Sequence, residues 1–121
     1  MNCPCFSGKL YAACCEPFHS KQQNAPTPLA LMRSRYSAFA THNADYLFST
    51  TLPAKRKFHD KQELLTWAQA NIWTNLEIIE AVDNIVEFKA FFTDINGRKQ
   101  IQQERSRFQK IADRWFYVDG I

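Results

Sequence analysis

The residues best placed to do chemistry in this chain are four cysteines, Cys3, Cys5, Cys14 and Cys15, with none in the 106 positions that follow. Clustering of that kind asks for a local explanation. No export signal precedes them, so a reducing compartment disfavours a disulfide framework, and the vicinal pair Cys14-Cys15 would be strained if bridged to itself. Four thiolates can instead complete the tetrahedral shell of a closed structural zinc site. Phe6 to Ala13 is long enough to bring the second pair back to the first, and Gly8 supplies a bend. The spacing C-x-C-x8-C-C differs from the commoner C-x2-C knuckle. The competing reading is four reduced cysteines packing as small hydrophobes.

The stretch Cys3-Pro-Cys-Phe-Ser-Gly-Lys-Leu-Tyr-Ala-Ala-Cys-Cys15 resembles the SEC-C motif, a small zinc-binding motif best known from the C-terminal tail of a preprotein translocase. The resemblance places ligands for a structural Zn2+ on Cys3, Cys5, Cys14 and Cys15. Where the motif usually has Gly after the second Cys, this chain has Phe6. His19 is a possible spare ligand, against the plainer reading of an ordinary, partly exposed His. A segment of this size cannot build its own core, so Lys9, Leu10 and Tyr11 between the ligand pairs are expected outward, as a docking surface for a protein partner.

A second group of polar residues falls where a core is expected. On a wheel of about 100° per residue, Arg33 lies about 40° from the Leu29 direction and Arg35 about 40° outside Phe39. A guanidinium cannot be buried unpaired, so Arg33 is expected to meet a carboxylate, with Glu104, Asp119 or Asp45 as candidates, or a set of carbonyls. Together with Tyr36, Tyr46 and Arg105, these form either a satisfied ion-pair network or the lining of a pocket for a small polar or anionic ligand, the network being the preferred reading. The three histidines, His19, His42 and His59, make no Ser-His-Asp or H-E-x-x-H pattern. The balance is against an enzyme.

These groups need elements to hold them. Thr27 reads as an N-cap with Pro28 at the first helical position, opening an amphipathic helix through Leu29, Met32, Tyr36, Phe39 and Ala40 to about His42. Asn43 caps a shorter segment, Ala44 to Thr50, that stops before Pro53. Asp60-x-x-Glu63 has capping-box form and opens a third helix through Leu64, Trp67 and Ala68, as far as Ile72. From Asn75 the period becomes two. Strands are expected to Val82, over Ile85–Thr93, over Lys99–Phe108 and over Trp115–Asp119, with turns at Asp83-Asn84, Asn96-Gly97 (type I′) and Ala112–Arg114. Helices ahead of an antiparallel sheet mean α+β.

The rest of the chain resembles the YchJ family. The matching stretches are Cys14-Cys-Glu-Pro-Phe-His19, Leu31-Met-Arg-Ser-Arg-Tyr36, Ala44-Asp-Tyr-Leu47, Glu104-Arg-Ser-Arg-Phe108 and Trp115-Phe-Tyr-Val-Asp-Gly120. The resemblance implies a SEC-C motif over residues 1–24, followed over 25–121 by a cone-shaped domain like that of nuclear transport factor 2 and ketosteroid isomerase, with three helices on a curved sheet. Many members carry a second SEC-C motif after the cone; stopping at Ile121, this chain reads as a short or truncated member.

Composition bounds the function. At 121 residues with ten Phe, four Tyr and three Trp, the chain can bury one aromatic core. The N-terminus has neither a basic nor an apolar signal region, and no run of apolar residues is long enough to span a bilayer, so a cytoplasmic location without membrane contact is expected. Net charge is only +3, with +4 over residues 1–60 and −1 over 61–121. That makes nucleic acid or ribosome binding through Lys9, Lys21 and the Lys55-Arg56-Lys57 run the weakest reading, below a zinc-binding protein-interaction module and a small-molecule enzyme working in the cone.

Overall fold

The structure is a computed structural model describing residues 1–121. A 3-10 turn at Tyr11–Ala13 and a one-turn helix α1 (Glu16–His19) follow the first cysteines. Then come α2 (Pro28–Ala40), α3 (Ala44–Ser49), a 3-10 helix (Pro53–Phe58) and α4 (Lys61–Ala70). Four strands complete the chain: β1 (Ile72–Val82), β2 (Ile85–Thr93), β3 (Lys99–Ile111) and β4 (Arg114–Gly120). They form one antiparallel meander in the order β1-β2-β3-β4. This is the expected α+β arrangement, and no helix is long and apolar enough to cross a membrane.

Local sequence sets the boundaries. The Thr27 hydroxyl accepts from Ala30 N at 3.1 Å, the Asn43 side chain from Tyr46 N at 3.1 Å, and Asp60 from Gln62 N at 2.7 Å. The return half of the capping box, from Glu63 to the Asp60 amide, is not made. α4 ends at Ala70 rather than Ile72, and Ile72 already pairs with Thr93. The side chain of Asn71, the residue between, donates to Trp67 O at 2.8 Å. The Lys55-Arg56-Lys57 run is helical, with Arg56 donating to Thr51 O and Ser49 O. Those bonds tie one base of the run to the fold. At Asn96-Gly97 only Gly97 has positive φ, and Gly97 N donates to Asp94 O at 2.9 Å. That is a type I turn closed by a left-handed glycine, not type I′. The Asp94 carboxylate, accepting from Asn96 N and Arg98 N, favours it.

Register irregularities after Trp73 and Ile78 in β1, and after Arg107 in β3, bend the sheet around α2. The segment after α3 pairs with the free side of β4, through Leu52 N to Tyr117 O and Tyr117 N to Thr50 O, both 2.8 Å, and so covers that edge. The core joins Leu31, Met32, Leu47, Leu76, Val86 and Phe108 across the helix–sheet interface. Phe108 is fully buried and meets the Tyr117 ring edge-on at 5.9 Å. Phe108→Ala should therefore lower stability by about 3–5 kcal/mol in urea unfolding. A loss under about 1 kcal/mol would mean that this part of the core collapses to fill the hole.

α2 departs from a simple amphipathic helix, because Ser34, Arg35 and Ser37 are buried beside Leu31 and Tyr36. It is covered by the sheet on one side and by the N-terminal segment on another. That is why its charged residues fall at buried angles.

Candidate metal centre and cone cavity

The first fifteen residues fold back on themselves. Cys3 N donates to Lys9 O at 2.8 Å, Tyr11 N to Met1 O at 3.0 Å, and Asn2 pairs with Leu10. Gly8 takes φ +86° at the bend, and Phe6 sits at +60°, a left-handed conformation that accounts for glycine being usual at this point of the motif. The turn survives the departure. The four sulfur atoms lie within 4.8 Å of one another, with Cys5 Sγ 3.6 Å from Cys14 Sγ and Cys14 Sγ 3.9 Å from Cys15 Sγ. Tetrahedral coordination at about 2.3 Å requires sulfurs about 3.8 Å apart, so the set could hold a zinc-sized ion. Ser7 Oγ at 3.2 Å from Cys14 Sγ and Ser37 Oγ at 3.9 Å from Cys3 Sγ can orient the ligands.

Electrostatics within the cluster are uneven. Hydrogen bonding, first from Cys15, holds the Cys5 thiol down to about 4 against the effect of burial. Donating that bond pushes the Cys15 thiol up, and burial pushes Cys14 up. Unaided, the four sulfurs share protons instead of all ionising. A bound dication would displace them.

His19 is not part of this shell. Its Nε2 lies 2.8 Å from Ser34 O, which can only accept, so Nε2 carries the proton; Nδ1 then accepts from the Tyr11 hydroxyl at 2.7 Å. Burial holds the ring's pKa below its ordinary value. The histidine is a clasp between the cysteine segment and α2. Tyr11 is thereby half-buried and held, while Lys9 and Leu10 of the expected docking surface are exposed. Arg33 joins the same clasp. Of the two kinds of partner expected it takes a carbonyl and none of Glu104, Asp119 and Asp45: it donates to Cys5 O at 3.0 Å, because its face of α2 meets the cysteine segment and not the sheet.

Between α2, α4 and the inner face of the sheet lies a cavity of about 180 Å³. Of the polar residues singled out from the sequence, Arg35, Tyr36 and Glu104 line it. The others lie elsewhere. Tyr46 is buried on another side of α2, 2.6 Å from Ser34 Oγ, with its ring 4.8 Å from that of His19. Asp45 is exposed and paired with Lys61 at 2.8 Å. Arg105 meets Glu80 and Glu87 at 3.3 and 3.1 Å, and Asp119 meets Arg107 at 2.8 Å. These are sheet ion pairs with well-exposed partners, worth little each.

Arg35 is buried, yet no carboxylate lies within 4.0 Å of it. Nη1 donates to Leu47 O at 2.8 Å and Thr50 Oγ1 at 2.7 Å, and Cζ sits 4.5 Å from the centre of the Tyr117 ring. Nε and Nη2 have no protein acceptor. Since no fully buried side-chain nitrogen in the chain lacks a partner, these two border accessible space, and the cavity is the space Arg35 lines. Burial pulls its pKa down to about 10, still charged at neutral pH. Glu104 Oε2 accepts from Ser106 Oγ and, at 3.3 Å, from Tyr117 Oη.

Sequence reasoning missed His59, Gln102, Ser106, Tyr117 and the aromatic wall of Trp67, Trp73 and Phe88 as cavity residues. One signal was available. Gln102, Glu104 and Ser106 are alternate residues of β3 that pair with the inward-facing Ala90, Phe88 and Val86, a polar run on a strand's core face. Burial, and then the Arg35 charge, hold the His59 pKa below its ordinary value.

The family description "YchJ, middle NTF2-like domain" matches residues 27–120. The chain belongs to the YchJ family. It is 47% identical to a UPF0225 protein of Actinobacillus succinogenes over 98% of this chain and 80% of the relative. With a UPF0225 protein of Deinococcus radiodurans the identity is 43%, over 98% and 87%. The fold is similar to the solution structure of a SEC-C motif containing protein from Rhodopseudomonas palustris, at 37% identity with TM-score 0.93, covering 100% of this chain and 98% of that one. A crystal structure of a SEC-C motif containing protein from Psychrobacter arcticus matches at 32% identity and TM-score 0.83, covering 97% and 80%.

Proposed function

We propose that this YchJ-family chain is a receptor for a small organic anion, held in the cone cavity against Arg35, with a structural zinc ion in the Cys3, Cys5, Cys14 and Cys15 shell clasping the N-terminal segment to α2. One observation carries the reading. A guanidinium taken out of water without a hydrogen-bonded carboxylate is costly, and Arg35, on which Glu104 acts only from beyond contact, keeps its Nε–Nη2 edge turned to a cavity. A satisfied ion-pair network would have closed that edge. Four thiolates leave no open coordination position, so the metal supplies folding energy and not catalysis.

Titration of 15N-labelled protein with benzoate, acetate, inorganic phosphate and neutral benzamide tests the receptor reading. It expects saturable shifts of the Arg35 side-chain and Tyr117 signals with at least one anion and none with benzamide. No saturable shift with any anion up to about 10 mM would remove the reading.

Lys9 and Leu10 support a second reading, docking of a protein partner. Lys9 adjoins a surface groove lined by Phe18, Leu29 and Arg33, basic and apolar together. Lys9→Glu, which leaves the Tyr11–His19 clasp intact, should then abolish capture of an acidic peptide without altering zinc content.

A further inference from the structure

We infer that the ligand class of the cone cavity is a small aromatic monocarboxylate, its carboxylate on the Nε–Nη2 edge of Arg35 and its ring against the aromatic wall; this rests on the reading of the cavity as an anion receptor. Three features of the site narrow the class. The first is geometric. Nη1 is committed to Leu47 O and Thr50 Oγ1, which leaves the Nε–Nη2 edge, the planar two-donor fork that matches the two oxygens of a carboxylate.

The second is charge. Arg35 is the only permanent cation lining the cavity, the Arg35 charge and burial act against a charged His59, and Glu104 lines the same space. Arg35 offers the one positive charge an anion can meet there, and since Glu104 already acts on it, a single carboxylate is the most negative charge the site can take. A phosphate dianion or a second carboxylate would be left uncompensated in a mostly apolar enclosure and would face Glu104, whose Oε2 already accepts from Ser106 and Tyr117.

The third is the wall. Trp73 packs at 5.8 Å against Tyr36, 5.4 Å against Phe39 and 6.4 Å against Trp67, and all four rings line the cavity. The Trp73 indole N–H is satisfied by Ala68 O at 3.2 Å and the Tyr36 hydroxyl by Asn75 O at 2.8 Å. These rings therefore present apolar faces and edges, not spare donors. At about 180 Å³ the cavity has room for one or two rings.

Trp67 and Trp73 make tryptophan fluorescence a direct probe, read alongside calorimetry on the zinc-loaded full chain. Benzoate should bind at least about tenfold more tightly than acetate, inorganic phosphate or terephthalate and should quench the emission. Arg35→Lys, which keeps the charge and loses the fork, should weaken benzoate by about tenfold or more. Glu104→Gln should narrow the gap between benzoate and terephthalate. Should acetate or phosphate bind as tightly as benzoate, the receptor reading stands and the aromatic monocarboxylate class is overturned. If no anion binds, both fail.

Discussion

Cys5→Ser, or chelation of the wild type under reducing conditions, is expected to abolish zinc retention and to lower the stability of the cone by about 2–4 kcal/mol. The first effect follows from the shell: four sulfurs within 4.8 Å leave no spare ligand, and both nitrogens of His19 are engaged elsewhere. Structural zinc contributes about 10–16 kcal/mol of folding free energy in small metal domains, far more than fifteen residues could recover by packing. The second effect comes from the clasp. α2 gives that segment the Arg33 bond to Cys5 O, the His19 bond to Ser34 O, the Phe6–Tyr36 ring contact at 6.2 Å and the Ser37 neighbour of Cys3. Each is worth about 1 kcal/mol. Elemental analysis should give about one zinc per wild-type chain and none for Cys5→Ser, and urea unfolding should show the lower midpoint. Zinc retained by Cys5→Ser would place the metal elsewhere. Affinity should also fall as pH falls, since Cys14 and Cys15, pushed up by burial and hydrogen bonding, must surrender protons to the metal.

Much of this was legible in the sequence, for identifiable reasons. Caps and periods are local, and Thr27, Asn43 and Asp60 each opened the helix they announced. The cysteine cluster was legible because its four sulfurs are brought together within fifteen residues. What the wheel could not supply is which body faces each side of α2. It placed Arg33 and Arg35 both at the border of a buried stripe, but with two different bodies packed on the helix, one arginine went to the knuckle and the other to the cone. Leu29 and Phe39, expected on the stripe, are only partly buried, whereas Ser34 and Ser37 are fully so. The cavity was illegible for a related reason: its members come from α2, α4, the segment before α4 and all four strands, and only register brings them together. Even so, Glu104 and Ser106 alternating on β3 ahead of a buried Phe108 were polar residues on a core-facing period, the mark of a site or a network.

Replacing Arg35 by Met is expected to leave the urea midpoint within about 1 kcal/mol of wild type, or to raise it, while abolishing binding of benzoate. Burial acts against the charged form of Arg35, so the unliganded fold carries a desolvation penalty that an apolar side chain of similar length removes. The acceptors left behind are not stranded: Leu47 O still receives the Thr51 hydroxyl at 2.9 Å, and the Thr50 hydroxyl still donates to Tyr46 O at 2.7 Å. What is lost is the stacking on Tyr117 and two charged hydrogen bonds, which the regained desolvation energy offsets. Arg35→Ala lacks the stem as well and should lose about 2–4 kcal/mol through the space it leaves beside Met32 and Tyr117. The pair of variants separates a site from a pin. A residue kept for a ligand gives Met the stability of wild type without its binding. A residue kept for the fold would make both variants fall together by about 3 kcal/mol or more, and with anion binding intact in Arg35→Met the cavity would no longer be the receptor.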